Sequence, residues 1–386
     1  METLNTQIHT LLAEREQALN LRELTGIDNI HQSEILINGN KLINFSSNDY
    51  LGLSQHPLLK ERAIKAIEQY GVGCPSSRLI SGNIDLYEQI ESTIAQLKGT
   101  QTALVFPTGF QTNLSVLHAL SKLDTFFFCD RLCHSSILLG AQLSNKTFVR
   151  FAHNNIEELR CLLDAKPDKN NWILTESVFS MDGDLARIDD LLALARNTNL
   201  YLYIDEAHAT GVFGKNGMGL VSDPDETTVL MGTFGKGCGS FGAYIACSQP
   251  MRDFLINYAA GFIYTTALPP AVLASIQAAL EIIPQMVSQR QELLQASAKL
   301  RDEIKQIGLD TGQSNSQIIS ILMGNNESAL SLSTYLKQNK IYAKAIRPPT
   351  VPEGGARIRL SLSAIHSNLD IERLLTVLRN WYASKH

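Results

Sequence analysis

Seven short apolar runs between residues 102 and 247 constrain this chain more than any other feature. They fall at 102–106, 125–129, 146–150, 172–176, 200–204, 227–231 and 242–247, and most are separated by stretches with helical spacing. A chain that alternates strand and helix in this way crosses over between neighbouring strands. The stable outcome is a mainly parallel sheet with helices on both faces. The expectation is therefore an α/β fold on a mainly parallel seven-stranded sheet.

The flanks read differently. Residues 3–25 have the spacing of an amphipathic helix, and 34–38 with 41–44 read as a hairpin about Asn38-Gly39-Asn40. A helical pattern at 57–70 runs into the punctuated loop GVGCPSSRLISGN (71–83). Helical spacing returns over 270–308, kinked or broken at Pro284. Strand runs at 317–322, 339–344 and 356–361, with helices at 327–338 and 368–383, predict a smaller α+β domain. The expected division is an N-terminal arm (1–55), a large domain (56–285) and a small C-terminal domain (286–386).

Asp205-Glu206-Ala207-His208 spells a helicase box, but that box works beside a GxxxxGK[ST] phosphate loop. Gly235-Lys236 has Leu230 in place of the first glycine and Gly237 in place of Ser or Thr; Gly214-Lys215 has Ala209 and Asn216 there. A net charge of -5 leaves no basic footprint for a nucleic acid. Gly237-Cys238-Gly239-Ser240-Phe241-Gly242 fits GxGxxG yet leads into the strand run AYIACS, whereas a dinucleotide site needs a helix there. The N-terminus lacks the apolar core of a secretory signal, and no run of about 18 apolar residues suggests a membrane span. The six cysteines do not form a disulfide framework, so the expected compartment is the cytoplasm. Cys129, Cys133 and His134 lie close enough to suggest a metal site; without a second ligand pair at zinc spacing, core cysteines are preferred.

A different constellation survives. Lys236 sits in a turn between two apolar strands, with Gly235, Gly237 and Gly239 leaving space for something large beside it. It is either a surface turn lysine or an amine in use, for which Schiff-base formation with a carbonyl is the natural chemistry. Asp205 closes the run YLYI at a strand end, where open parallel sheets bind ligands. A carboxylate there is either a cap or turn residue or the partner of a protonated pyridine nitrogen, with His208 addressing a neighbouring oxygen. Phe106-Pro107-Thr108-Gly109-Phe110 carries a strand into a helix whose first amides form a phosphate cradle. A phosphate-bearing pyridine carbonyl that needs a lysine, an aspartate and an amide cradle is pyridoxal 5'-phosphate.

Six ordered segments then carry a resemblance over essentially the full length: NFSSNDYLGL (44–53), PTGFQTN (107–113), ESVFSMDGD (176–184), YIDEAHATGVFG (203–214), GTFGKGCGSFGAY (232–244) and RPPTVPEGGARIRLSLSAIH (347–366). The chain resembles the α-oxoamine synthase family of fold-type I pyridoxal-phosphate enzymes. The last segment is most similar to members that condense L-alanine with a pimeloyl thioester, on coenzyme A or acyl carrier protein, on the route to biotin. Close relatives use glycine or serine with other acyl-CoA substrates, and a catalytically silent partner subunit is the alternative of another class, opposed by the presence of Lys236.

The resemblance implies that Lys236 holds the cofactor covalently and serves as acid and base, that Asp205 binds the ring nitrogen, and that His208 and Ser180 attend the phenolic oxygen. It implies that His134, otherwise a helix cap, stacks on the ring. Gly109 and Phe110 would supply amides and Thr233 a hydroxyl to the phosphate, with Thr265 and Thr266 reaching it from the second subunit of a homodimer. Arg359 would clamp the amino-acid carboxylate, although Arg357 on the same strand face leaves that pair ambiguous from sequence. Asn48 would lie near the amino acid; Arg22 and Thr350 match positions associated with the acyl substrate. Glu206 and Ala207 read as spacers. Two departures from the family pattern, the Gly73-Cys74-Pro75-Ser76-Ser77-Arg78 stretch and Tyr87 in place of a histidine, leave the acyl entrance open.

Overall fold

The computed structural model describes residues 3–144, 148–166, 170–196 and 200–385. The chain divides into two compact units, one of Asn48–Ser180 and Asp184–Gln291, the other of Met1–Ser47, Met181–Gly183 and Glu292–His386.

The second of these units opens the chain with α1 (Leu4–Gln17) and the strands β1 (Asn29–His31), β2 (Glu34–Ile37) and β3 (Asn40–Asn44). Helix α1 stops well short of residue 25. Leu19 takes a left-handed φ of 54°, and the carbonyls of Leu19 and Leu21 accept from the Arg347 guanidinium rather than continuing a helical ladder.

The larger unit follows with α2 (Pro57–Tyr70), α3 (Asp85–Lys98), β4 (Thr102–Phe106), α4 (Gly109–Leu120), β5 (Thr125–Asp130), α5 (Ser135–Leu143) and β6 (Phe148–Phe151). It continues through α6 (Ile156–Asp164), β7 (Asn170–Glu176), α7 (Ile188–Arg196), β8 (Leu200–Asp205), β9 (Thr228–Thr233), β10 (Ala243–Cys247), α8 (Gln249–Tyr258), α9 (Ala260–Ile263) and α10 (Pro270–Ile282). Its seven strands lie in the order β4-β10-β9-β8-β7-β5-β6. Only β10 runs against its neighbours, so the mainly parallel α/β sheet is as expected. The expected strand at 146–150 begins at Phe148; residues 146 and 147 lie outside the described residues. Phe106, Phe127, Trp172, Tyr203 and Ile245 from the sheet bury against Val116 and Leu117 of α4, Ile137 of α5 and Phe262 of α9. Because β7, β8 and β9 are parallel, Glu176, Asp205 and Met231 come into register at one strand edge. That edge holds the site.

Pro284 sits in a single turn, Ile283–Gln285, before α11 (Val287–Ile307). The smaller unit resumes with β11 (Ile318–Gly324), α12 (Asn326–Gln338), β12 (Ile341–Tyr342), β13 (Ala345–Ile346), β14 (Ala356–Ser361) and α13 (Asn368–Ala383). The run 339–344 is not one strand of the C-terminal sheet. Its two-residue β12 pairs in parallel with β3 and completes the sheet β1-β2-β3-β12, while β13 joins β11-β14-β13. Among the described residues no single helix is long and apolar enough to cross a membrane.

Candidate active site

Thr108 caps α4, its Oγ1 accepting from the Gln111 amide at 3.2 Å. The first amides of a helix have no partner within it, and here they belong to Gly109 and Phe110. A Cβ on Gly109 would lie 2.8 Å from Met231 Cε, so a larger residue there would push the flexible end of Met231 aside. Gly109 and Phe110 line a cavity of about 230 Å³ together with Asn113, His134, Glu176, Asp205, His208, Met231, Thr233 and Lys236.

Asp205 is buried at the end of β8. Its Oδ2 accepts from Asn113 Nδ2 at 2.9 Å and its Oδ1 from the Ala207 amide at 2.9 Å. Asn113 is itself fixed, donating to Ser136 Oγ at 2.8 Å and accepting from Tyr203 Oη at 2.6 Å. These donors are neutral, so they orient the carboxylate without cancelling its charge. Lys236 Nζ lies 3.0 Å from His208 Nε2, whose Nδ1 lies 2.6 Å from Tyr50 Oη, and Tyr50 donates to Asn48 Oδ1 at 3.2 Å. The donors run in one direction: lysine to imidazole, imidazole to phenol, phenol to amide. Asn48 thus joins the lysine by a relay.

His134 is both cap and cavity wall. Its Nδ1 accepts from the Ser136 amide at the start of α5, and the ring meets Phe110 edge-on at 6.5 Å. Burial lowers its pKa, with Lys236 pushing the same way against Asp205, which keeps the ring neutral. Thr233 Oγ1 donates to the Gly242 carbonyl at 2.8 Å and accepts from the Gly235 amide at 3.2 Å, so its proton serves the turn itself. Ser180 is buried and outside the cavity lining; Thr265 and Thr266 lie between α9 and α10, also outside it.

Two readings need correction. Gly237 and Gly239 do not make room for a ligand. A Cβ on the first would lie 2.5 Å from the Thr210 carbonyl, and on the second 2.3 Å from the Ser54 amide, so they let backbones pack. Glu206 is no spacer. Fully buried, it pairs with Lys98 and accepts from the amides of Leu220 and Val221, tying α3 to the loop after β8. Asn113, Glu176 and Tyr50 also went without a role; each lies within or beside a quoted motif, the one signal that pointed to them.

The loop 73–83 is held firmly. Arg78 bonds Glu91 at 2.5 Å and Asn83, and lies 3.9 Å over the Tyr87 ring, while Tyr87 Oη accepts from the Leu268 amide at 2.7 Å. In the smaller unit, Arg357 donates to Asp182 Oδ1 at 2.6 Å and to the Met181 carbonyl, whereas Arg359 donates to Ser361 Oγ at 3.0 Å. Arg22 and Thr350, 328 positions apart, are hydrogen-bonded at 2.8 Å.

A profile of the family described as aminotransferase class I and II matches residues 40–378. The chain belongs to that family. Among its aminotransferase-family relatives, 8-amino-7-oxononanoate synthase of Gluconacetobacter diazotrophicus is 42% identical, over 93% of this chain and 92% of the relative. A Desulfosudis oleivorans protein provisionally given the same name is 47% identical, over 96% and 97%. The solved serine palmitoyltransferase of Sphingomonas wittichii superposes with a TM-score of 0.93 at 27% identity, covering 99% of this chain and 98% of that one. The 8-amino-7-oxononanoate synthase of Francisella tularensis gives 0.76 at 29%, covering 89% and 98%. This aminotransferase-family chain is a pyridoxal-phosphate enzyme of the α-oxoamine synthase type, and its substrates are an amino acid and an acyl thioester. The cavity fits that cofactor: an amine, an anionic carboxylate and helix-start amides surround one space of suitable chemistry.

Proposed function

We propose that the enzyme condenses L-alanine with a pimeloyl thioester, carried by coenzyme A or acyl carrier protein, to give 8-amino-7-oxononanoate for biotin synthesis. The observation that carries this reading is identity of 40–47%, over nearly the whole chain, to curated relatives given that name, fully or provisionally; the solved synthase of Francisella tularensis is 29% identical and the solved serine palmitoyltransferases 26–27%. In the reaction a bond forms between the alanine α-carbon and the acyl carbonyl carbon, the C–S bond breaks, and the carboxylate leaves as carbon dioxide. One proton is taken up and the thiol is released.

Bound pyridoxal phosphate supplies the electron sink for both bond changes at the α-carbon. Lys236 attaches the cofactor and moves the α-proton; His208 orients its amine, and the Tyr50–Asn48 chain holds His208. Asp205 keeps a proton on the ring nitrogen, and His134 covers the ring as a neutral imidazole. The amides of Gly109 and Phe110 receive the phosphate, and Thr233 joins them only by turning its hydroxyl away from the Gly242 carbonyl. Arg359 clamps the alanine carboxylate, which the engagement of Arg357 by Asp182 supports. Arg22 and Thr350 meet the acyl group, a role supported by the bond between them. Thr265 and Thr266 complete the phosphate site of a partner copy, so the enzyme works as a homodimer. The exposure of Val72, Ile80 and Tyr264 by more than four-fifths on the same unit supports that surface.

Mass spectrometry of products tests the proposal. Alanine with pimeloyl-CoA or pimeloyl-acyl carrier protein should yield 8-amino-7-oxononanoate. Product only from glycine with acetyl-CoA would overturn it in favour of a 2-amino-3-ketobutyrate ligase.

A further inference from the structure

Glu176 ends β7 and stands opposite Asp205 across the β7–β8 ladder. It has no part in the mechanism above, yet it lines the cofactor cavity and is 2% exposed. Paired positions on adjacent strands lie about 5 Å apart, so two buried carboxyl groups share this strand edge. Neighbouring carboxyl groups at a low-dielectric edge repel when both are ionised, which favours the protonated form of one.

The two groups differ in how donors are spread over their oxygens. Asp205 receives a donor on each oxygen, from Asn113 and from the Ala207 amide. Glu176 is hydrogen-bonded by the backbone of His134 and Ser180, whereas its Oε1 has no hydrogen-bond partner among the described residues. The other titratable groups around it are Lys236 from the β9–β10 turn, which is directed to His208, and His134 and Cys133 from the approach to α5. His134 and Cys133 are both held neutral by burial. Burial, and after it the charge of Asp205, push the Glu176 carboxyl well above the usual carboxylate range.

We infer that Glu176 is a cofactor-holding group kept as a neutral carboxylic acid, which presents its O–H to the bound cofactor. A protonated acid is the one form of this side chain that supplies a donor where Oε1 has no partner. The inference rests on pyridoxal phosphate occupying this cavity and is independent of which acyl thioester the enzyme uses.

Infrared difference spectra between the native protein and Glu176→Gln, at neutral pH with and without cofactor, should show the loss of a protonated-carboxyl carbonyl stretch. Loss of an ionised carboxylate band instead overturns the inference. Equilibrium dialysis of pyridoxal phosphate provides the second readout. Glu176→Gln, which keeps a neutral donor, should hold the dissociation constant within about threefold, and Glu176→Ala should weaken it about tenfold. A glutamine variant as weak as the alanine variant, or an alanine variant unaffected, overturns it. Should Glu176→Ala not fold, the glutamine variant and the infrared band still decide. If the native protein takes up no cofactor, the reading of the cavity fails, and the infrared spectra of the cofactor-free protein still report the state of Glu176.

Discussion

Asp205 and Glu206 are consecutive, acidic and buried, and their surroundings are opposite. Asp205 faces the cavity, held by neutral donors that leave its charge available to a cationic ligand. Glu206 is closed off by Lys98, by the amides of Leu220 and Val221, and by Gly219, where a Cβ would lie 2.4 Å from its carboxylate. Successive residues leaving a strand point to different sides, so one step along the chain separates a chemical group from a structural one. Two adjacent acids therefore carry one function between them.

The largest effect is expected at the amine that shares the cavity with Asp205. Lys236→Ala should abolish covalent cofactor attachment and the absorbance that goes with it, and lower turnover by at least about 10³-fold, with the melting temperature nearly unchanged. Glu206→Gln should do the reverse. Stranding the Lys98 ammonium should cost about 3–5 kcal/mol in urea unfolding while the folded fraction binds cofactor as the native protein does. Replacing both partners, Lys98→Met with Glu206→Leu, should recover most of that loss. Asp205→Asn leaves one of its two N–H donors without an acceptor and should cost about 1–2 kcal/mol in unfolding while reducing turnover about 10²-fold; a stability loss as large as that of Glu206→Gln would break the contrast.

A third buried arrangement sharpens it with a titratable cation. His153 lies 2.9 Å from Asp130 and 2.7 Å from Asp184. Burial alone would lower its pKa, but the hydrogen bonds to both carboxylates outweigh that and raise it to about 10. A folded-state value above the unfolded one means the stabilisation is complete below about pH 6.5 and is lost as pH rises toward 10. The native melting temperature should fall over that window, and His153→Gln should flatten the slope. The smallest effect is expected from Tyr50→Phe, which removes the phenol from the relay and should lower turnover about threefold with a shifted pH profile.

The strands of the large sheet were legible because each is a short apolar run whose length and spacing are local properties. The break at Pro284 was legible for the same reason: a missing amide is a property of one residue. The end of α1 was not, because Arg347 captures the Leu19 and Leu21 carbonyls from the far end of the chain. Nor was β12, whose partner is β3 rather than its sequence neighbours. In the site, the lysine, aspartate and histidines were legible as chemistry, while the glycines of the Lys236 turn were misread because only the fold shows which backbones they approach. That Asp182 engages Arg357 rather than Arg359 was likewise invisible until the fold was seen.

By itself, then, the sequence determined the layered α/β architecture and the set of groups able to hold pyridoxal phosphate, since periodicity and ordered motifs reside in short stretches of chain. Only the tertiary structure decided which of two adjacent acids meets the cavity and what braces each of them. Burial and hydrogen bonding settle those questions, and the partners come from afar: Asn113 reaches Asp205 across 92 positions and Lys98 reaches Glu206 across 108.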